Sequence, residues 1–224
     1  MKKIHAIMIA TAISLGAATP AMAQLGGLLG AAKGGAATGS GNVEADAKTF
    51  TEKSSVVNKY AAQALVAISA AYSSDEERAN AQAKLDKLNA TTDPKEQNAL
   101  VAEINKTEGA KVAQLAESKD LGDKTKNLDK EKQKMVGTAV ANYLIAGARA
   151  VDLTKSGQGM MQSAASNPLA LPKLANVKDA LPLLGDAATN AAKVLPKFVD
   201  VLRGAKVEVP KVSADSKPVD INAI

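Results

Sequence analysis

The sequence contains no cysteine, no tryptophan and a single histidine. That histidine, His5, lies near the amino terminus, in a segment that we expect to be removed on export. A chain left without histidine and cysteine cannot build a Ser-His-Asp or Cys-His catalytic arrangement. Zinc, copper and haem sites lose their usual ligands for the same reason. These absences favour a protein that is not an enzyme and that needs no metal and no cofactor.

Aromatic residues are also scarce, at 2% of the chain, so few rings are available to stack against a sugar. The sequence has no S-x-x-K motif, no Walker-type glycine-lysine motif and no dense D-x-D-x-D cluster. The sequence does not exclude a pair of catalytic carboxylates, because the fold and not the sequence spacing sets the distance between them. A carboxylate-dependent hydrolase of envelope glycans is therefore retained as the second alternative function.

Charge of either sign is moderate and evenly spread. The 28 lysines and arginines and 23 carboxylates give a formal net charge of +5, and both signs alternate along the chain. Interspersed charge of this kind favours solubility over binding to nucleic acid. We expect no nucleic-acid partner.

The first 23 residues have the order of a secretory signal peptide. Two lysines precede an apolar run, and Pro20 stands before the small residues Ala21 and Ala23. The pattern predicts cleavage before Gln24 and a location in the periplasm or outside the cell. No cysteine follows the cleavage position, so a lipid anchor on cysteine is not expected.

Residues 24–42 are rich in glycine, which makes a stable helix costly and favours a flexible linker. A small apolar group in this segment is formed by Leu25, Leu28 and Leu29. The alternative to a plain linker is an apolar tip that contacts a membrane or a partner.

A helical period begins at Val43. Spacings of four and three place one set of residues on a single stripe: Val43, Ala47, Phe50, Ser54, Val57, Ala61, Ala64, Ile68 and Ala71. Ser74 and Glu77 form a capping box that starts a shorter, more polar helix. Pro94 at a first helical position starts a third helix, which we expect to end at about Ser118.

The stretch from Met135 to Val151 carries almost no charge. Its uncharged core is too short to span a bilayer, which requires about 20 apolar residues. Its many small residues allow other helices to approach on several sides. A helix that is apolar nearly all round is buried, so the stretch predicts the central helix of a bundle, with a partner-binding surface as the alternative.

Residues 155–166 contain Gly157 and Gly159 next to the pair Met160 and Met161. We interpret this segment as a hinge or linker between two halves of the chain. The two methionines are candidates for a soft contact surface, although methionine more often fills a gap in packing.

The segment 167–204 combines repeated prolines with an apolar stripe. Pro182 and Pro196 follow stripe positions, and each proline removes a helical hydrogen bond. The pattern predicts either one kinked amphipathic helix or several short helices packed on the bundle. An exposed stripe that binds another protein is the alternative.

The final segment, 205–224, alternates apolar and polar residues at Val207, Val209 and Val212. It predicts an extended or disordered tail. The alternative is a strand that is lent to a partner's sheet.

Together these features predict an all-α protein: an elongated helical bundle over 43–166, followed by the proline-kinked amphipathic segment, with flexible ends. The expected function is non-enzymatic binding or scaffolding in the cell envelope through helical surfaces. The partner is an unidentified envelope protein or a second copy of the chain, and association with a membrane surface is the first alternative.

Overall fold

A computed structural model describes residues 42–219 and 221. These residues form six α-helices, one 3-10 segment and no strand, which confirms the predicted all-α helical bundle. The helices are α1 (Val43–Ala71), α2 (Asp75–Ala90), α3 (Pro94–Glu117), α4 (Leu121–Asn127), α5 (Lys130–Ala165) and α6 (Ala175–Gly204), and the 3-10 segment is Pro168–Leu174. The predicted signal peptide, its cleavage positions Ala21, Ala23 and Gln24, and nearly all of the glycine-rich segment lie outside the described residues.

Helix α1 begins where the sequence provides a cap. The side chain of Asn42 accepts hydrogen bonds from the backbone amides of Glu44 and Ala45, which satisfies donors that have no partner inside the helix. The predicted stripe faces the core, and eight of its nine members are buried. Its polar member, Ser54, is 1% exposed, and its hydroxyl has no hydrogen-bond partner within the described part of the chain.

Helices α2 and α3 form a hairpin against another face of α1. The Ser74–Glu77 capping box is present at the start of α2, and Asp93 caps α3 with Pro94 at its first turn. A separate group of apolar side chains fills this contact: Ala62, Val66, Ala70, Ala81, Leu85, Leu88, Leu100, Val101, Ile104 and Leu183. All of these except Leu183, from α6, belong to the first three helices.

Helix α5 is the centre of the main core. The residues from Val136 to Ala148 are buried except Thr138, and α5 packs against both α1 and α6. The prediction that this uncharged stretch is a central helix is therefore confirmed. Among the described helices, none combines the length and the apolar character needed to cross a bilayer.

The hinge predicted at residues 155–166 is wrong, because α5 continues as one helix to Ala165. The reason lies in what Gly157 touches. A Cβ atom at Gly157 would lie 2.8 Å from side-chain atoms of both Leu181 and Phe50. The glycine therefore permits close packing of three helices, and helix packing overrides its low intrinsic helix propensity.

Helix α6 contains both Pro182 and Pro196 and is one continuous helix. Pro182 is exposed and Pro196 is half-buried, while the predicted stripe faces inward: Leu174, Val177, Leu184, Ala191, Leu195, Phe198 and Leu202 are buried. The alternative of an exposed, partner-seeking stripe is wrong for this helix. The ring of Phe198 meets Tyr72 edge-on, with centroids 6.3 Å apart, and the Tyr72 hydroxyl is hydrogen-bonded to Thr125 of α4 at 2.8 Å.

Helix α6 ends in a Schellman arrangement. The amide of Val207 donates to the carbonyl of Leu202, and the amide of Lys206 donates to that of Arg203. The residue between helix and tail, Lys206, has a φ of 59°, a left-handed conformation that usually selects glycine. Gly204 is the last helical residue.

Candidate binding groove

A largely apolar groove lies on the surface between α1 and α5. Its volume is about 450 Å³, and it is lined by Glu52, Lys53, Val56, Val57, Arg149 and Leu153. Val57 is buried, whereas Val56 is 48% exposed and is one of the few large apolar side chains in the described chain with that much exposure. An exposed apolar floor with charged groups at its edge is typical of sites that accept an apolar side chain from another molecule.

The helix geometry explains how these residues come together. Val57 belongs to the inward stripe of α1, so its neighbour Val56 is turned by about 100° toward the surface. Glu52 and Lys53 lie one turn earlier on the same side of the helix. Across from them, Arg149 and Leu153 are one turn apart on α5. Two antiparallel helices therefore supply the walls.

Arg149 is held in place by the segment that follows α6. Its Nε donates to the carbonyl of Ala214 at 2.8 Å, and its Nη2 donates to the carbonyl of Ser216 at 2.9 Å. The tail, defined here as residues 205–219, therefore reaches the edge of the groove. Charged hydrogen bonds of this kind fix the position of the guanidinium.

The tail runs along α5 and then turns back. A Cβ atom at Gly137 would lie 2.6 Å from the carbonyl oxygen of Glu208, so the tail backbone lies directly on the helix there. A turn at Ser213–Ser216 reverses the chain, with the Ser216 amide donating to the Ser213 carbonyl at 3.0 Å. Asn142 then forms two hydrogen bonds to Val219, donating to its carbonyl at 2.6 Å and accepting from its amide at 2.9 Å.

The predicted contact residues of the tail face their own chain. Val207, Val209 and Val212 are half-buried and pack against the main core. Inward and outward residues nearly alternate along the tail, as in a strand. The segment contacts a helix, and no strand is formed in the described part. The alternation thus places apolar side chains on α5 and α6 in this structure.

The beginning of the tail leaves space beneath it. A cavity of about 410 Å³ is lined by Leu144, Val199 and Arg203 of the helices and by tail residues 206–211. The first residues of the tail therefore leave part of the surface of α5 and α6 uncovered.

The other predicted contact residues are not brought to the groove. Met160 and Met161 lie near the end of α5 and are half-buried against the core. They are about 35 Å along the helix from Gly137, where the tail begins its contact with α5. Leu25, Leu28 and Leu29 lie outside the described residues.

One end of the bundle exposes apolar side chains that sequence patterns did not predict. Leu169 and Leu171 of the 3-10 segment are 85% and 43% exposed. Lys173 of the same segment forms an ion pair with Glu44 at 3.2 Å. The exposed leucines therefore lie at the end of the bundle where α1 begins.

A buried carboxylate, Glu108, links the first three helices. Its side chain is 2% exposed, and it pairs with Lys84 of α2 at 2.8 Å and with Lys111 at 3.4 Å. The hydroxyl of Ser69 on α1 donates to it at 2.8 Å. Burial on its own raises the pKa of Glu108, but the hydrogen bonds and the two lysine charges outweigh it and hold the pKa below its ordinary value. With both oxygens engaged and almost no exposure, this carboxylate joins helices together.

Acidic side chains elsewhere in the described residues do not gather into a site. No group of three or more His, Cys, Asp and Glu side chains is arranged to hold a metal ion in residues 42–219 and 221. Of the groove residues, Glu52 is the carboxylate.

Four residues with long-range or surface roles were not predicted from sequence patterns: Val56, Arg149, Asn142 and Glu108. Val56 could have been predicted as an exposed apolar residue, because it is a valine that lies next to the inward stripe of α1 and not on it. Asn142 lies inside the stretch from Met135 to Val151, and Arg149 is the charged residue of that stretch. Each binds a segment more than 60 residues away. No local pattern predicts such a contact.

Comparison with known proteins adds no assignment. The chain matches no protein-family model, no curated protein and no solved structure.

Proposed function

We propose that this chain is an exported protein of the cell envelope that binds another protein through its helical surface, without catalysing a reaction. The contact surface is the groove between α1 and α5. Export is supported by the Lys2–Lys3 start, the apolar run and the small residues Ala21 and Ala23.

The single observation that carries the proposal is the exposed apolar floor of the groove. Val56 is 48% exposed beside the buried Val57, with Glu52, Lys53 and Arg149 around it. The combination fits the side of an amphipathic helix or a short segment with one apolar anchor, because the anchor fills the floor and the charges pair with its flanks.

A photo-crosslinking side chain at position 52 tests this contact in cells. On irradiation, we expect a discrete protein adduct of the exported chain. Val56→Glu places a charge on the apolar floor, and we expect it to reduce the yield of that adduct at least tenfold. Because Val56 is half exposed, the helical circular dichroism should be unchanged.

The matched control is Ala102→Glu. Ala102 is exposed on α3, which contributes nothing to the groove lining, so the adduct should form as in the parent chain. An adduct that survives Val56→Glu, or that is lost equally in Ala102→Glu, places the contact elsewhere and rejects the groove.

A second candidate function, association with a membrane surface, is favoured by the leucines at one end of the bundle. Leu169 and Leu171 are exposed at the end where α1 begins, and residues 24–41, with three further leucines, precede α1 in the chain. Apolar side chains grouped at one end can insert together into the interface of a bilayer.

Flotation with liposomes of mixed zwitterionic and anionic lipid tests this candidate. The parent chain should float with the vesicles, and the double variant Leu169→Ser with Leu171→Ser should lose most of that binding. As a control, Val56→Glu should float as the parent does, because the groove lies along the side of the bundle. Flotation unchanged by the leucine variant would reject a role for this end.

The carboxylate-dependent hydrolase has no comparable support. It requires two converging acids, whereas Glu108 is engaged by lysines and Glu52 is the carboxylate of the groove.

A further inference from the structure

The hydrogen bonds that α5 makes to the tail go to main-chain atoms of the tail. Asn142 binds both the amide and the carbonyl of Val219, and Arg149 binds two carbonyls at the preceding turn. Contacts to main-chain atoms recognise an extended segment by its conformation, as peptide-binding surfaces do. In this structure the extended segment that binds α5 is the tail of the same chain. A second copy of the chain carries the same segment and can make the same contacts.

The connection between α6 and the tail is strained when the tail lies on α5 of its own chain. Lys206 adopts a φ of 59°, which brings its Cβ close to the following carbonyl. A cavity of about 410 Å³ also adjoins residues 206–211, which begin at this connection. If residues 205 and 206 extended, the left-handed conformation would disappear. The two backbone hydrogen bonds of the Schellman arrangement would then be exchanged for hydrogen bonds to water.

We propose that two copies of this chain exchange their tails. Each tail leaves its own α6 at residues 205 and 206 and lies on α5 of the other copy, held by that copy's Gly137, Asn142 and Arg149 surface. The exchange is reciprocal, so the dimer has twofold symmetry and both surfaces are filled. The hydrogen bonds from Asn142 and Arg149 to the tail are kept across the dimer, and the strain at Lys206 is released twice.

Variants at the connection should move the equilibrium in opposite directions. Lys206→Gly accepts the left-handed conformation without strain, so it should weaken dimer formation by about tenfold or more, since two connections contribute. Lys206→Pro cannot reach a positive φ and has no amide to donate to Arg203, so it should favour the dimer. The mass of the chain from residue 24 onward, measured by light scattering over a range of concentrations, reports the fraction of dimer.

A third variant tests whether the dimer depends on the surface of α5 that binds the tail. Asn142→Leu has a similar volume, lies outside the groove and removes both hydrogen bonds to Val219. Combined with Lys206→Pro, it should return the protein to a monomer while helical circular dichroism stays unchanged. The proposal is overturned if Lys206→Pro is monomeric at every concentration, or if its dimer persists with Asn142→Leu. Neither result depends on Val56, so the groove and the exchange can fail independently.

Discussion

Replacing Lys84 with methionine should lower the free energy of unfolding by about 3 kcal/mol at neutral pH. The change removes the closest positive partner of Glu108, which is 2% exposed and cannot be solvated in exchange. Ser69 and the more distant Lys111 remain, so the loss should stay toward the lower end for a broken buried pair. Urea unfolding followed by circular dichroism measures the difference, provided that the slope with denaturant is unchanged.

Lowering the pH should reduce the difference in the free energy of unfolding between the parent chain and Lys84→Met. The pKa of Glu108 in the folded protein lies below its ordinary value of 4.5. The stabilisation is therefore complete above that value and is lost as the pH falls through the lower, folded pKa. In Lys84→Met the carboxylate takes up a proton at higher pH, so the difference from the parent chain should diminish in acid.

The control for this prediction is Lys87→Met on the same helix. Lys87 is exposed, and its replacement should change stability by no more than about 0.5 kcal/mol. A loss at Lys84 equal to that at Lys87, or a gap that stays constant from neutral to acid pH, would contradict a stabilising role of the Glu108 pair.

Replacing Gly147 with alanine should also destabilise the fold, by about 2 kcal/mol. A Cβ atom at this position would lie 2.6 Å from the Cβ of Ala191, so α5 and α6 would have to move apart. The better helix propensity of alanine returns up to about 1 kcal/mol, which is less than the cost of overpacking a close helix contact. Thermal and urea unfolding both measure the result.

Gly159 provides the comparison on the same helix. A Cβ atom there would meet nothing within 4 Å, and the residue is exposed. Gly159→Ala should therefore raise stability by about 0.5 to 1 kcal/mol through helix propensity alone. If the two alanine variants shifted stability in the same direction, the contact between α5 and α6 would not be as close as described.

Periodicity predicted the parts of the fold that depend on local patterns. The α1 stripe, the capping box at Ser74 and the start of α3 at Pro94 are all present because each depends on neighbours within a few residues. The central position of α5 followed from its lack of charge and its small residues. The hinge predicted at residues 155–166 was wrong, since a glycine such as Gly157, which weakens an isolated helix, is favoured where three helices pack closely.

Local sequence patterns could not predict the groove or the surface of α5 that binds the tail. Arg149 and Asn142 act on residues 65 to 77 positions away. Glu108 looked like an ordinary polar position of α3, and its burial depends on Ser69 and Lys84 from two other helices. Such contacts are set by how helices assemble, which residue spacing within one helix does not record.

The division of the apolar side chains into two clusters has a consequence for the order of folding. The smaller cluster needs α1, α2 and α3 and only one residue, Leu183, from later in the chain. A chain made from its amino terminus can therefore form this hairpin against α1 early, through contacts of short sequence separation. The opposite face of α1, with Phe50, Val57 and Ile68, must wait for α5 and α6. During that interval the nascent chain exposes the apolar stripe of α1 to solvent. Its need for chaperones should therefore be greatest just before α5 is complete.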